Sequence, residues 1–303
     1  MALKAALKIR LLNGWQLFWL VSLPISALVV WEMLATDLTT GAGVSHMIGY
    51  AVRFAIPLIF IVTAASALHT LFPGSLTAWL LRNRKYIGLC FAVAMGWQGA
   101  FILIMSLLHN DYYYTDIYIL RDELEGSVGY LFLTAMVITS FRFGRQRLSP
   151  QQWRLLHVSG VYFLWAYPFS TYWWTVVGYY GEFTAFDWAL YVMGFLAFAA
   201  RIAAWGKRRL QRIAKDESVN VPTLPQSILG GVLIGLGVYL GATAAYWQHA
   251  VSGALLSELW SARLNLWLPY WPFEPFLPLA IIGLGTWLAT RARPQPQGAA
   301  VAI

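Results

Sequence analysis

Long apolar stretches separated by short polar segments run along almost the whole chain. Each stretch is close to the roughly 20 residues that a helix needs to cross the hydrocarbon core of a bilayer. The pattern predicts eight spans, numbered 1 to 8 in chain order, at residues 15–35, 47–72, 86–108, 127–143, 155–180, 188–205, 226–247 and 276–291. The fourth and eighth stretches are short, so seven spans is the main alternative count.

The charged residues alternate between the two ends of the predicted spans. Basic clusters precede span 1 and follow spans 2, 4, 6 and 8, whereas most acids lie in the remaining connections. Lys and Arg accumulate in the cytoplasmic loops of membrane proteins. We therefore predict an all-α integral membrane protein, a polytopic bundle of about eight helices with both termini cytoplasmic. Span 1 is too long for a typical signal peptide, and we interpret it as an uncleaved anchor.

The composition agrees with this prediction and changes the meaning of the net charge. Hydrophobic residues make up 59% of the chain and charged residues 11%, which excludes a water-soluble globule. The net charge of +8 would indicate nucleic acid in a soluble protein, but cytoplasmic loops explain it here. We expect the lipid bilayer, and no nucleic acid, as a partner.

The connections suggest how the chain is divided. We predict a six-helix membrane bundle at residues 1–206 and a basic cytoplasmic linker at 207–225. A transmembrane hairpin follows at 226–293, with a Trp- and Pro-rich outer loop at 252–275, and a disordered tail at 294–303. No internal repeat is visible.

Span 7 contains a series of glycines: Gly230, Gly231, Gly235, Gly237 and Gly241. A nucleotide-binding loop would need a preceding strand, and none is predicted here. Small residues three or four positions apart instead allow two membrane helices to approach closely. We expect span 7 to pack against another helix, in this chain or in a partner.

The five histidines are the first candidates for chemistry, because intramembrane histidines often ligate haem or relay protons. His69 and His157 fall near the cytoplasmic ends of spans 2 and 5. His46, His109 and His249 fall near the outer face. An ordinary hydrogen-bonded interfacial side chain is the alternative for each. The outer three show no short ligand spacing, and we predict no metal site from them.

Arg53 is the second candidate for a functional residue, because a charged side chain inside a membrane span needs a charged or polar partner. Glu32, at matching depth in span 1, is the expected partner if Arg53 is structural. The functional alternative is that Arg53 binds an anionic group, such as a haem propionate or a lipid phosphate. No hydrolase motif or phosphate loop is present, so we predict no catalytic residue and leave enzymatic activity open.

Two stretches resemble the ferric reductase-like transmembrane domain family. Residues 80–89 read Leu-Leu-Arg-Asn-Arg-Lys-Tyr-Ile-Gly-Leu, similar to the family's basic loop and Gly-Leu helix start. Residues 153–162 read Trp-Arg-Leu-Leu-His-Val-Ser-Gly-Val-Tyr, similar to its Trp-x-x-Leu-His-x-x-x-x-Tyr. With span 4, the resemblance covers about residues 45–180.

The resemblance implies a haem b between spans 3 and 5, but with a degenerate ligand set. His157 matches the family's inner haem ligand on span 5. About 13 residues further, where a second ligand is expected, residues 168–171 contain no histidine. On span 3, Gln98 is the best match to a lost ligand. At most one haem b near the cytoplasmic face is therefore expected, with His157, His69 and Arg53 as the cofactor-binding residues.

These observations leave three functions open. The first is a membrane redox subunit that transfers electrons through this haem; quinone or a separate redox protein would supply them, because the chain contains no flavin or nicotinamide domain. The second is a haem-free accessory or scaffold subunit of a larger membrane complex. A transporter is the third, but the spans contain few polar residues and no matched broken helices.

Overall fold

The computed structural model describes residues 7–178, 182–215, 219–255, 273–291 and 293–294. These ranges contain nine helices longer than ten residues, which confirms the all-α class. The helices are α1 (Gly14–Ala35), α2 (Gly41–Leu71), α3 (Ser75–Leu108), α4 (Leu120–Thr139), α5 (Pro150–Val176), α6 (Ala185–Ile213), α7 (Leu224–Ala242), α8 (Ala244–Leu255) and α9 (Phe273–Ala289). The shorter elements are Arg10–Leu12, Asn110–Tyr112, Tyr113–Ile117, Arg142–Arg145 and an antiparallel pairing of Val219–Asn220 with Arg293–Pro294.

Five of these helices are long and apolar enough to cross a membrane: α1, α2, α3, α6 and α7. Helix α9 is also apolar, but its 17 residues are fewer than the roughly 20 that usually cross a bilayer. Large apolar side chains on the outside of α1, such as Trp19, Leu23 and Trp31, are exposed and suited to contact with lipid. The chain is thus a helical membrane protein, while the count of eight spans and the cytoplasmic termini stay predictions.

The structure divides the predicted seventh span into two helices. Helix α7 ends at Ala242, and α8 begins at Ala244. The Thr243 hydroxyl donates to the carbonyl oxygen of Tyr239 at 2.7 Å, a contact typical of a helix end. Most of the predicted outer loop and most of the predicted tail lie outside the described residues.

Contacts between the helices group the chain into two compact units. Unit 1 comprises residues 1–65 and 73–168, and unit 2 comprises residues 66–72 and 169–303. The boundary therefore falls within α2 and within α5. The predicted division into a six-helix bundle, a linker and a hairpin concerns membrane topology and stays a prediction.

The core of unit 1 joins α1, α2 and α3. Its most buried side chains share an apolar character and come from all three helices: Val29, Val44, Met47, Ala51, Phe101 and Met105. A second apolar cluster adds α5 through Val161, which packs with Leu17, Val62 and Ile87. Helices α1, α2, α3 and α5 thus pack together through apolar side chains.

One buried polar side chain, Asn83 of α3, connects the start of α1 to this bundle. Asn83 is 1% exposed. Its Oδ1 accepts from the Gly14 amide at 2.9 Å, and its Nδ2 donates to Asn13 Oδ1 at 3.1 Å. Gly14 has a φ of +65°, which a residue with a Cβ rarely adopts. Asn83 therefore satisfies a backbone amide at the point where the chain turns into α1.

We expect Asn83→Ala to lower the stability of the membrane-embedded protein by about 1–3 kcal/mol, because the partly buried Gly14 amide loses its acceptor. The measurement is the apparent unfolding temperature in detergent micelles. Asn110→Ala is the matched control, since the amide of Asn110 donates to Ser106 at an exposed position. Equal unfolding temperatures for the two variants would contradict the role of Asn83.

In unit 2, α7 and α9 approach so closely that glycine is required. A Cβ at Gly230 would lie 2.6 Å from the carbonyl oxygen of Gly285, and one at Gly237 would lie 2.6 Å from that of Pro278. A Cβ at Gly241 would lie 2.6 Å from the ring of Phe195 in α6, so α7 also lies close to α6 at this position. The structure confirms the expected close packing of these glycines, whereas Gly231 and Gly235 contact no neighbouring helix within 4 Å.

The end of α6 is fixed to the end of α2 within unit 2. Lys207 Nζ donates to the carbonyl oxygens of Thr70 at 2.8 Å and Leu71 at 3.1 Å. Carbonyl groups in the last turn of a helix have no partner inside the helix and carry partial negative charge. The Lys207 ammonium satisfies them, so this residue of the basic linker region also has a structural role.

Candidate functional site

A cavity of about 550 Å³ lies within unit 1, between α2, α3, α4 and α5. Its volume is in the range of about 300–1,000 Å³ that is usual for ligand pockets. His157 of α5 is among the lining residues. The site residue that the sequence motif indicated therefore borders a space large enough for a ligand.

The lining combines apolar walls with positive charge. Arg84 and Lys85 come from the third turn of α3, Arg145 from the short helix after α4, and Arg154 from the start of α5. The described lining residues include no acid. The apolar side chains include Ile59, Val62, Leu89, Phe91, Leu133, Val161 and Leu164. This arrangement suits a ligand with a large apolar body and an anionic group.

His157 has a defined orientation at the edge of the cavity. Its Nε2 lies 3.0 Å from the Thr139 hydroxyl, at the end of α4. Its ring stacks on Trp153 with centroids 4.2 Å apart. The Trp153 indole donates to the Thr139 carbonyl oxygen at 3.1 Å, and the Arg145 guanidinium lies 5.1 Å from the Trp153 ring centre. Packing and hydrogen bonds thus fix the imidazole.

The other two predicted cofactor-binding residues lie elsewhere. His69 belongs to unit 2, next to the α2 carbonyl groups that Lys207 contacts, and its pairing with His157 stays a prediction. Arg53 is exposed on α2 and is not among the residues that line the cavity. Its expected partner, Glu32, instead bonds His46 at 2.8 Å.

The remaining polar candidates have structural partners. Gln98, the proposed lost ligand position, accepts from the Tyr130 hydroxyl at 3.1 Å. His109 Nε2 lies 3.1 Å from the Leu38 carbonyl oxygen. Among the described residues, no group of three or more His, Cys, Asp or Glu side chains is arranged to hold a metal ion.

Several residues of the site were not identified from the sequence. Arg84, Arg145 and Arg154 were interpreted only as parts of basic loops, and Thr139 received no role. Trp153 and His157 are four residues apart, a spacing that places both on one face of a helix. That spacing could have indicated that the rings of Trp153 and His157 stack. The contact between His157 and Thr139 joins two different helices, so it depends on how α4 and α5 pack.

Comparisons with models of protein families, with curated proteins and with solved structures give no match to this chain.

The residues around the cavity fit a haem b in part. The apolar walls suit a porphyrin, the four cations suit its two carboxylates, and an imidazole is a common axial ligand. The described lining residues contain one histidine, which would supply one imidazole. Nε2 of that histidine is engaged by Thr139, and this bond must break before Nε2 can ligate iron.

Proposed function

We propose that the chain is a membrane redox subunit that carries electrons through one haem b, bound in the cavity of unit 1 and ligated by His157. The single observation that carries this proposal is the position of His157 in an apolar cavity lined by four cations. Bound haem supplies the one-electron chemistry. The protein would supply the imidazole of His157 as a ligand, charges that neutralise the carboxylates, and apolar walls that exclude water.

The resemblance to the ferric reductase-like family supports the same proposal through the sequence around residues 153–162. Under this proposal, the cytoplasmic ends of the helices surround the cavity, as the distribution of Lys and Arg indicates. The electron donor is a quinone or a separate protein, in a bacterial inner membrane. His69 and Arg53 have no assigned contact with the haem.

The test is the absorption spectrum of the purified protein after expression with sufficient haem. We expect a Soret band that shifts on reduction with dithionite, and one haem per chain by the pyridine haemochrome assay. Absence of the band both after expression and after addition of hemin to the purified protein would overturn the proposal.

The second candidate is a haem-free accessory subunit of a larger membrane complex. One observation favours it: Thr139 already bonds the nitrogen that would ligate the iron. The test is purification in a mild detergent with the spectrum recorded on the same sample. A monodisperse, haem-free monomer with no co-purifying protein would contradict this second function.

A further inference from the structure

The hydrogen bond between Thr139 and His157 has a direction that a neighbouring contact determines. A threonine hydroxyl has one hydrogen to donate. Thr139 Oγ1 lies 2.7 Å from the Ala135 carbonyl oxygen, which can only accept, so the hydrogen is donated there. With its hydrogen directed to Ala135, Oγ1 is left as an acceptor toward His157, and this geometry favours the tautomer with the hydrogen on Nε2.

The surrounding contacts keep the imidazole in this position. The Trp153 ring stacks on it at an angle of 29° between planes. The same Trp153 is bonded to the backbone of Thr139, so one residue at the end of α4 contacts both rings. Thr139 is buried, with 8% of its surface exposed, and water does not readily replace its hydroxyl. The contact between Nε2 and Oγ1 is therefore held in place from both sides.

We propose that Thr139 is a positioning residue that keeps Nε2 of His157 protonated and thereby competes with iron for this nitrogen. A ring nitrogen ligates a metal only through a free lone pair. For Nε2 to become the ligand, its bond to Oγ1 must break and the ring hydrogen must reside on Nδ1. Since His157 as the ligand is itself proposed, the effect of Thr139 on haem rests on the proposed function.

Two substitutions at this position separate the hydroxyl from the shape of the side chain. Thr139→Val keeps the branched shape and removes the acceptor, so the haem-free state loses the bond that haem binding would break. Thr139→Ser keeps the hydroxyl and its donation to Ala135. We expect Thr139→Val to bind haem about fivefold more tightly than the wild type, because haem binding to this variant does not have to break a hydrogen bond to His157. We expect Thr139→Ser to match the wild type.

The first measurement is a titration of the haem-free protein with hemin, followed by the Soret band. Tighter binding by Thr139→Val, with unchanged binding by Thr139→Ser, supports the competition. Equal or weaker binding by Thr139→Val overturns it. Because a structural defect would weaken binding, the expected increase in affinity distinguishes competition from damage to the fold.

The second measurement needs no haem. Nitrogen NMR of the protein labelled with ¹⁵N-histidine, assigned by comparison with His157→Gln, reports which ring nitrogen carries the hydrogen. We expect the Nε2–H form in the wild type and in Thr139→Ser, and a mixture of both tautomers in Thr139→Val. The same spectrum for all three proteins overturns the role of Thr139. If no protein binds hemin, the proposed function fails, and this spectrum alone decides whether Thr139 positions His157.

Discussion

The His157→Ala variant is expected to lose the haem absorption band while keeping its fold. The described lining of the cavity offers one imidazole, so under the proposed function its removal would leave the iron without a histidine ligand there. Loss of an outer-shell partner already weakens metal binding by about 10–100-fold in other proteins. Loss of the ligand itself has a larger effect, and the Soret band should be absent at micromolar hemin.

Two control variants make this result specific. His249→Ala removes an exposed histidine of α8 and should keep the band. His69→Ala decides whether the second predicted histidine contributes, because a bis-histidine haem would become high-spin in this variant. An unchanged spectrum in His157→Ala, with the same apparent unfolding temperature as the wild type, would show that the ligand is another residue.

The second large effect is expected from Gly230→Ala in unit 2. The added Cβ would lie 2.6 Å from the carbonyl oxygen of Gly285 and 2.7 Å from the amide nitrogen of Ala289. Both neighbours belong to the backbone of α9 and cannot move without separating the helices. Overpacking of a core costs about 1–3 kcal/mol, and rigid backbone neighbours place this site at the upper end.

The measurement is the apparent unfolding temperature in detergent, together with the fraction of protein that elutes as a single species. Gly231→Ala is the matched control on the same helix, because its added Cβ meets no atom of another helix within 4 Å in the described part of the chain. It should leave the unfolding temperature unchanged or raise it slightly, since alanine favours a helix. A similar loss in both variants would contradict the assignment of the loss to the contact with α9.

The sequence predicted the helices well because membrane helices need long apolar stretches whatever their neighbours are. It predicted the break at Thr243 poorly, because residues 226–247 are apolar on both sides of it. The glycines of span 7 showed that a close contact was to be expected. They did not show that Gly230 and Gly237 face α9 while Gly231 does not, since that depends on how the partner helix crosses.

The candidate site was predicted in the same uneven way. His157 followed from a motif of ten residues, which is local information. The cavity itself depends on how α2, α3, α4 and α5 pack. Arg84 and Arg154 are 70 positions apart in the sequence but line one space. Charge counting explained both as loop residues, because topology alone does not distinguish an arginine that faces lipid headgroups from one that lines a pocket.

The bond between Asn83 and Gly14 also has a consequence for biogenesis. During synthesis, the start of α1 leaves the ribosome 69 residues before its acceptor does. The first helix therefore enters the bilayer before the turn at Gly14 has its partner, and this end of the helix is completed only when α3 is inserted.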